Sequence, residues 1–595
     1  MSDDRGRGLP GGGSSAAPST SGLAPGSRAW LRPGFTDLLG IFLALLVVIV
    51  GAHRMFGDAD AGTHIATGLW ILDHRRIPDT DPFSGTAAGA VWFAHEWLAD
   101  VASALAYRVA GCAGLLAGSA LVIVLAHVVL FRFLVRRGDD VLVSFGAVVA
   151  AAATASSHWL ARPHLLTVLF LVVWTVVLEQ VLGGRWRPRA LLVLPPLALV
   201  WANVHGGFLV AFIVLACYTA GTLIAALPRG AASRPGAARA RSLLTPLAAT
   251  TLACVACTLV NPWGWRLPRH LIAFFAHRGP VLRATAEFAP AALDDRAGAA
   301  LLVFLALAVA GIVGAARAAA PEPAPDAAPS ISAGTLLALG ATTAMAFVSI
   351  RHVEVMVIFG ALVIASGFSR YLRSRLDAGT RADLEALRAR DRRCGGGALA
   401  LVLAAIFALA IGGGLPRAGF DPRQFPVSAV AVLKESGRAP DGPVFAPDIW
   451  GGYLLLEWPQ VRVFVDSRWD MYGDAFFERY AGIYLAQSGW SEALRGAGVT
   501  LAVLPREAPL ARAMQASADW VLWRSDETAL VFRRVGDVTP GQRRLEGTPT
   551  DPRTPADYGW QASPTPFASE SSCPGFGVLG QLSHTSPRPS RSWSA

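Results

Sequence analysis

The chain is short of charge and of cysteine. Charged residues make up only 16% of its 595 positions while hydrophobic ones make up 53%, a balance that excludes a string of soluble domains. The six cysteines, Cys112, Cys217, Cys254, Cys257, Cys394 and Cys573, form no disulfide framework. Cys254-x-x-Cys257 falls inside an apolar run with no second ligand pair, so it reads as helix packing rather than a zinc or redox centre. No cleavable signal peptide is evident. An inverted repeat and paired Gly/Pro-broken spans are also missing, which argues against a secondary transporter. The formal charge of +10 points to nucleic acid only until the arginines are located. Arg136-Arg137, Arg185-Arg187-Arg189, Arg229-Arg234-Arg239-Arg241 and the run from Arg370 to Arg393 each lie between apolar runs. That placement encodes membrane orientation, and no nucleic-acid partner is expected.

What the sequence does have is apolar runs of about 17 to 23 residues, each long enough to cross a hydrocarbon core. They predict a polytopic α-helical membrane protein with about eleven transmembrane helices, at 35–53, 111–133, 141–158, 164–182, 190–204, 207–227, 243–261, 297–316, 333–350, 352–369 and 396–414. Residues 1–34, rich in Gly, Ser, Pro and Arg, are expected to be a disordered cytoplasmic N-terminus before a retained anchor. With that end inside, all four arginine clusters fall on the cytoplasmic face. The loops at 54–110, 158–164, 203–207, 262–296 and 350–354 then fall outside. After the transmembrane domain (35–414), residues 415–540 alternate short β-type runs (443–446, 461–465, 500–504, 520–523, 529–532) with helical patterns near 475–486, 491–496 and 508–516. This predicts a C-terminal extracytoplasmic α/β domain, followed at 541–595 by a disordered tail. The expected location is the cytoplasmic membrane of a bacterium.

Chemistry is sought first in the large external loop, where Asp58, Asp60, His64, Asp79, Asp81, His95 and Glu96 crowd between two membrane-length runs. A plain connection needs no such density of carboxylate and imidazole. Ionisable groups near membrane depth are costly and mark function by default. Here they are Arg162 and His164, Asn203 and His205, Asn261, Glu287, and Arg351, His352 and Glu354, all at the outer ends of the expected spans. Arg162, His164, Arg351 and His352, with His205 beside them, suit a phosphate or diphosphate, because a guanidinium fork matches phosphate oxygens. Asp58 and Asp60 can hold a divalent metal, Mg or Mn, through hard oxygen ligands; alternatively one of them is a general base toward an acceptor hydroxyl.

Asp60-Ala61-Gly62-Thr63-His64 resembles the D-x-x-x-H opening of the first external loop in catalytic subunits of prokaryotic oligosaccharyltransferases. These are members of the GT-C superfamily of polytopic glycosyltransferases, to which protein mannosyltransferases are also related. Asp81-Pro82-Phe83, with Gly89 and Trp92, continues a similar pattern. Farther on, Asp448 to Tyr453 and then Val463 to Arg468 resemble the W-W-D-Y-G signature and the aspartate-bearing strand after it. The chain has I-W-G-G-Y where that family has W-W-D-Y-G, so the signature's acidic residue is absent. The resemblance implies transfer of a sugar from a polyprenyl-phosphate or polyprenyl-diphosphate carrier to an acceptor at the outer face of the membrane. In it Asp60 is base or metal ligand, Asp58 a second acidic ligand, and His64 and Glu96 supporting groups. Trp450, Tyr453, Asp466 and Arg468 would bind substrate. The implied partners are membrane lipids and the lipid-linked sugar. The incomplete signature leaves a second expectation open, a non-catalytic GT-C-like scaffold that binds a lipid-linked glycan or an envelope partner.

Overall fold

Long apolar sequence in a membrane leaves backbone amides no partner but each other, so it folds as helix. The computed structural model describes residues 32–227, 234–318, 331–415, 418–437 and 439–537. The expectations for the N-terminal segment up to residue 31, for the tail after 537 and for Arg229 lie outside the described residues. In chain order the helices are α1 (Phe35–Arg54), α2 (Asp60–His74), α3 (Trp97–Arg137), α4 (Val141–Ala155), α5 (His164–Leu182), α6 (Leu194–Ala202), α7 (Phe208–Ala226), α8 (Arg234–Thr258), α9 (Arg266–Ala276), α10 (Pro280–Ala284), α11 (Arg296–Arg317), α12 (Ala333–Val348), α13 (Val353–Arg375), α14 (Ala378–Arg392) and α15 (Gly397–Ile411).

The chain is a polytopic helical membrane protein. Among the described residues eight helices are long and apolar enough to cross a bilayer, and α14 with α15, bent by 45°, makes a ninth. Of the eleven expected spans, two are shorter apolar helices, Pro188–Ala202 and Ala333–Val348, and that at 396–414 is one arm of the bent pair. The first span is capped by Asp37, whose carboxylate accepts from the Gly34 amide at 3.0 Å. In the same way Asp140 caps α4 through the amides of Leu142 and Val143. Helix α3 is broken at Ala110 and Gly111, where Gly111 has φ 57°, a value glycine takes without steric cost. The break divides a loop-borne stretch from the membrane-length run, which is why the apolar pattern starts at 111.

The arginine-rich ends of the helices meet one another. Arg137 is 5% exposed and donates to Asp139 at 2.9 Å and to Glu179 at 3.3 Å. Glu179 also accepts from Tyr218 at 2.7 Å and Thr335 at 2.6 Å. Arg373 and Arg388 both donate to the Gly138 carbonyl. Helix ends are tied here through carbonyls that the helices leave free.

After the bundle come α16 (Val427–Glu435), β1 (Val444–Phe445), α17 (Asp448–Glu457), α18 (Trp469–Tyr472), α19 (Asp474–Tyr484), α20 (Trp490–Gly496), β2 (Leu501–Pro505), α21 (Pro509–Ala516), β3 (Trp520–Ser525) and β4 (Ala529–Arg534). The sheet order is β1-β2-β4-β3, with β1 parallel to β2 and the other pairs antiparallel. The run at 461–465, expected as a strand, instead forms isolated bridges: Val463 pairs both Val444 of the sheet and Ser84 of the first loop. Gly85 N–H donates to the Val463 carbonyl at 2.9 Å and Val463 N–H to Phe83 at 3.3 Å. The first loop therefore adds to the edge of the C-terminal sheet.

A second seam joins the same two parts. Segment 448–457 is a helix that carries the adjacent glycines Gly451 and Gly452. Those glycines serve close approach. A Cβ on Gly452 would lie 2.1 Å from the Ala59 carbonyl, and one on Gly62 would lie 2.3 Å from that of Gly452, so α17 crosses α2 backbone to backbone. Phe56, Phe420 and Phe425 pack beside this crossing with Tyr453, at centroid distances of 4.8–5.7 Å. The apolar core runs without interruption from the bundle into the C-terminal domain.

Candidate active site

Two short connections pin the acidic start of the loop. Asp58 accepts from the Asp60 amide at 3.0 Å, turning the chain into α2. Ala161 N–H donates to the Met55 carbonyl at 2.8 Å, bringing the 156–163 turn alongside. Arg162 thereby enters a group of three carboxylates. Its Nε donates to Asp58 at 3.0 Å and its Nη2 to the other oxygen of Asp58. Its Nη1 lies 3.1 Å from Asp60 and donates to Glu287. The arginine expected at a carrier phosphate is instead occupied by acids. Burial pushes the Asp58 carboxyl up and Arg162 pulls it back, while Asp60 and Glu287 push it up again, to about 6. Burial also opposes ionisation of Glu287, but Arg162 and Arg351 outweigh it and hold that carboxyl far below its usual range.

A second centre surrounds Glu96. His64 Nδ1 is 2.7 Å from Asp100, and its Nε2 is 3.5 Å from Glu96. His205 Nε2 and His95 Nε2 lie 3.5 and 3.7 Å from the same carboxylate. The Gly207 amide donates to His205 Nδ1 at 3.0 Å, which also lies 2.8 Å from the Thr167 hydroxyl, itself held by the Trp201 indole. His205 Nε2 faces both the Glu96 carboxylate and the Arg351 guanidinium. Burial, then the nearby Arg351, keep His205 well below the usual histidine range. Burial would also lower His64. Its hydrogen bond to Asp100 and the charges of Asp100, Glu96 and Asp60 overcome this and raise it to about 9, so it is an imidazolium at neutral pH.

Arg351 bridges the centres, with Nη2 3.2 Å from His205 Nε2 and Nη1 3.8 Å from Glu287. One polar network therefore runs from Asp58 and Asp60 through Arg162, Glu287, Arg351, His205 and Glu96 to His64 and Asp100. Of its two guanidiniums, Arg351 is the more open, at 29% side-chain exposure against 13% for Arg162.

The other expected site residues fall elsewhere. His164 turns to Glu354, 3.7 Å away, and to the His158 carbonyl. His352 Nδ1 is buried without a hydrogen-bond partner. Trp450 and Tyr453 are 2% and 4% exposed; Trp450 donates its indole N–H to the Gln424 carbonyl at 2.9 Å, so both are core rather than an open recognition surface. Asp466 and Arg468 form a local ion pair, at 2.8 and 2.6 Å. The pair is buried, and Arg468 also reaches Asp81 at 2.8 Å. Its guanidinium stacks over Trp92 and Phe83, and Tyr472 donates to Asp466. This clamp holds the first loop to the C-terminal domain. Asp448, the nearest carboxylate to the missing signature position, is pushed up to about 6 by burial although Trp469 and Tyr480 donate to it.

Two members of the network were absent from the expected site. Asp100 follows Glu96 by four residues, one helical turn, and that spacing was its signal. Glu287 stood out as a polar residue but had no partner in view, because Arg162 is 125 positions away.

As arranged, the donor set of Asp58 and Asp60 does not fit a metal ion, since Arg162 engages the oxygens that would bind it. Among the described residues no group of three His, Cys, Asp or Glu is disposed to hold one.

No family model and no curated protein matches the chain. Solved structures do resemble it. The Archaeoglobus fulgidus oligosaccharyltransferase, in complex with Zn and sulfate, is 12% identical with a TM-score of 0.46, over 79% of this chain and 68% of that one. The arabinofuranosyltransferase AftD from Mycobacteria is 14% identical with a TM-score of 0.44, over 85% of this chain but 41% of its own. ArnT from Cupriavidus metallidurans is 13% identical with a TM-score of 0.41, over 83% and 97%. The likeness is one of fold, and the chemistry rests on the residues above.

Proposed function

We propose that this chain is a membrane glycosyltransferase that moves a sugar from a polyprenyl-phosphate or polyprenyl-diphosphate carrier to an acceptor hydroxyl. The observation that carries the reading is the unbroken network from Asp60 to His64. It joins acidic and basic groups from the first loop, the 156–163 turn, the 203–207 turn, the 286–288 turn and the 350–352 turn before α13. Asp60, met by Arg162 through one oxygen, is the general base. It takes the acceptor proton as the acceptor oxygen bonds to the anomeric carbon. The bond from that carbon to the carrier phosphate breaks, and the phosphate leaves with the electron pair. Arg351, at the partly open end of the network, is the group to receive that charge. Glu96 orients His205 and His64. In this reading the arginine-rich end is cytoplasmic, the site and C-terminal domain face outward, and the membrane is the cytoplasmic membrane of a bacterium.

The test is transfer of labelled sugar by the purified full-length protein from a panel of polyprenyl-linked donors. Asp60→Asn is expected to lower turnover by about 10²–10⁴-fold, the usual worth of a general base. Full turnover in a correctly folded Asp60→Asn protein would remove the assignment.

The burial of Trp450 and Tyr453, with the altered signature, favours a second reading as a non-catalytic scaffold that binds a lipid-linked glycan. Lipid-linked sugar recovered intact with the protein, and no turnover with any acceptor, would decide for it.

A further inference from the structure

We infer that Arg162 is the resident cation of the acidic cluster, a guanidinium fixed where a divalent ion would otherwise sit. The inference deepens the proposed function, on which its chemical meaning rests: Asp60 then acts as a base in a cluster that needs no exchangeable metal.

Three observations carry it. The first is the count of donors: Nε and Nη2 take both oxygens of Asp58, and Nη1 serves Asp60 and Glu287. Mg²⁺ or Mn²⁺ would need those same oxygens as ligands at about 2.0–2.2 Å. The second is permanence. Arginine does not deprotonate in proteins, and burial against it is outweighed here by Asp58, Asp60 and Glu287, which raise its pKa still further. The charge is thus present at every working pH and cannot dissociate as a metal does. The third is position. The three acids come from two segments, Asp58 and Asp60 from the start of the first loop and Glu287 from the turn at 286–288, while Arg162 comes from the 156–163 turn. Joining distant segments is what a metal clip does, and Arg162 does it covalently tethered. Arg351 adds a second positive charge on the far side of Glu287, 3.8 Å away.

The test uses full-length protein in detergent, stripped with chelator, and Mn²⁺ as the probe, with binding read by loss of the free-ion spin-resonance signal. Wild type is expected to bind no more Mn²⁺ than Asp58→Asn. Arg162→Ala removes the guanidinium and leaves three converging carboxylates. It is expected to gain one saturable Mn²⁺ site and a Mn²⁺-dependent rise in melting temperature, both lost in Arg162→Ala/Asp58→Asn. A saturable wild-type site that Asp58→Asn or Asp60→Asn abolishes overturns the inference, as does a folded Arg162→Ala protein that binds no Mn²⁺. Should Arg162→Ala fail to fold even with Mn²⁺ present, the wild-type comparison with Asp58→Asn decides alone. None of these arms reads sugar transfer, so loss of the glycosyltransferase reading and loss of this one are separable.

Discussion

The clamp at Arg468 makes the sharpest stability prediction. Arg468 is 7% exposed and Asp466 is fully buried, and the Asp81 side chain is also fully buried against the guanidinium. Arg468→Met keeps much of the length and apolar stem but strands two buried carboxylates. Removing one partner of a buried ion pair costs about 3–5 kcal/mol. Loss of the cation over Trp92, 4.5 Å from the ring centre, adds roughly 1 kcal/mol. A total of about 5 kcal/mol corresponds to a melting-temperature drop of roughly 10–20 °C for a unit of 150–250 residues, here the first loop with the C-terminal domain. Trp92 lies at the seam, so tryptophan fluorescence during thermal unfolding in detergent is the assay, with limited proteolysis of the loop as a second readout. Replacing the whole group, as in Arg468→Met/Asp466→Asn/Asp81→Asn, is expected to recover most of the loss, because the orphaned charges go too. A single variant within about 2 °C of wild type, or a triple variant no better than the single, would refute the clamp.

Other expectations follow from the same geometry. Because His64 is raised from 6.5 to about 9 in the folded protein, its contribution, about 3 kcal/mol at most, is fully present below pH 6.5 and lost as pH rises through 9. His64→Gln should therefore flatten the stability profile between those limits in a pH series of melts, and an unchanged profile would contradict the pairing with Asp100 and Glu96. Gly452→Val places a Cβ 2.1 Å from the Ala59 carbonyl and should push α17 from α2. The cost is about 1–3 kcal/mol, seen as faster loop proteolysis, whereas Gly437→Val would not show it through contact, since nothing lies within 4 Å there. Arg137→Met, which leaves Asp139 and Glu179 buried without their guanidinium, should destabilise the arginine-rich end by about 3–5 kcal/mol, measured by denaturant or thermal unfolding.

The spans were legible because each apolar run must satisfy its own backbone, so length and composition alone mark a helix. Gly111 even sets where one pattern begins. Pairing across the fold was not legible. Arg162 carries the charge that suits a phosphate, but charge does not say which partner sits opposite. Asp58 is 104 residues distant from it, and that contact fixes its role. Trp450 to Tyr453 shows a second limit. Two adjacent glycines suggest special backbone angles, yet here both are helical; Gly452 is needed because α2 passes too close for a side chain, and Gly451 because the Val465–Asp466 backbone does. The acidic loop was recognisable as a centre of chemistry from density alone. Its division into an acid group around Arg162 and an imidazole group around Glu96 came only with the fold.

The most direct measurement of the central claim is sugar transfer from a labelled polyprenyl-linked donor by purified wild type, Asp60→Asn and Arg351→Gln, with kcat and KM separated. The network predicts that Asp60→Asn loses kcat by about 10²–10⁴-fold with KM for the donor nearly unchanged. Arg351→Gln should raise KM for the donor as well as lower kcat. Equal activity of all three correctly folded proteins, or turnover that survives both substitutions, would contradict it.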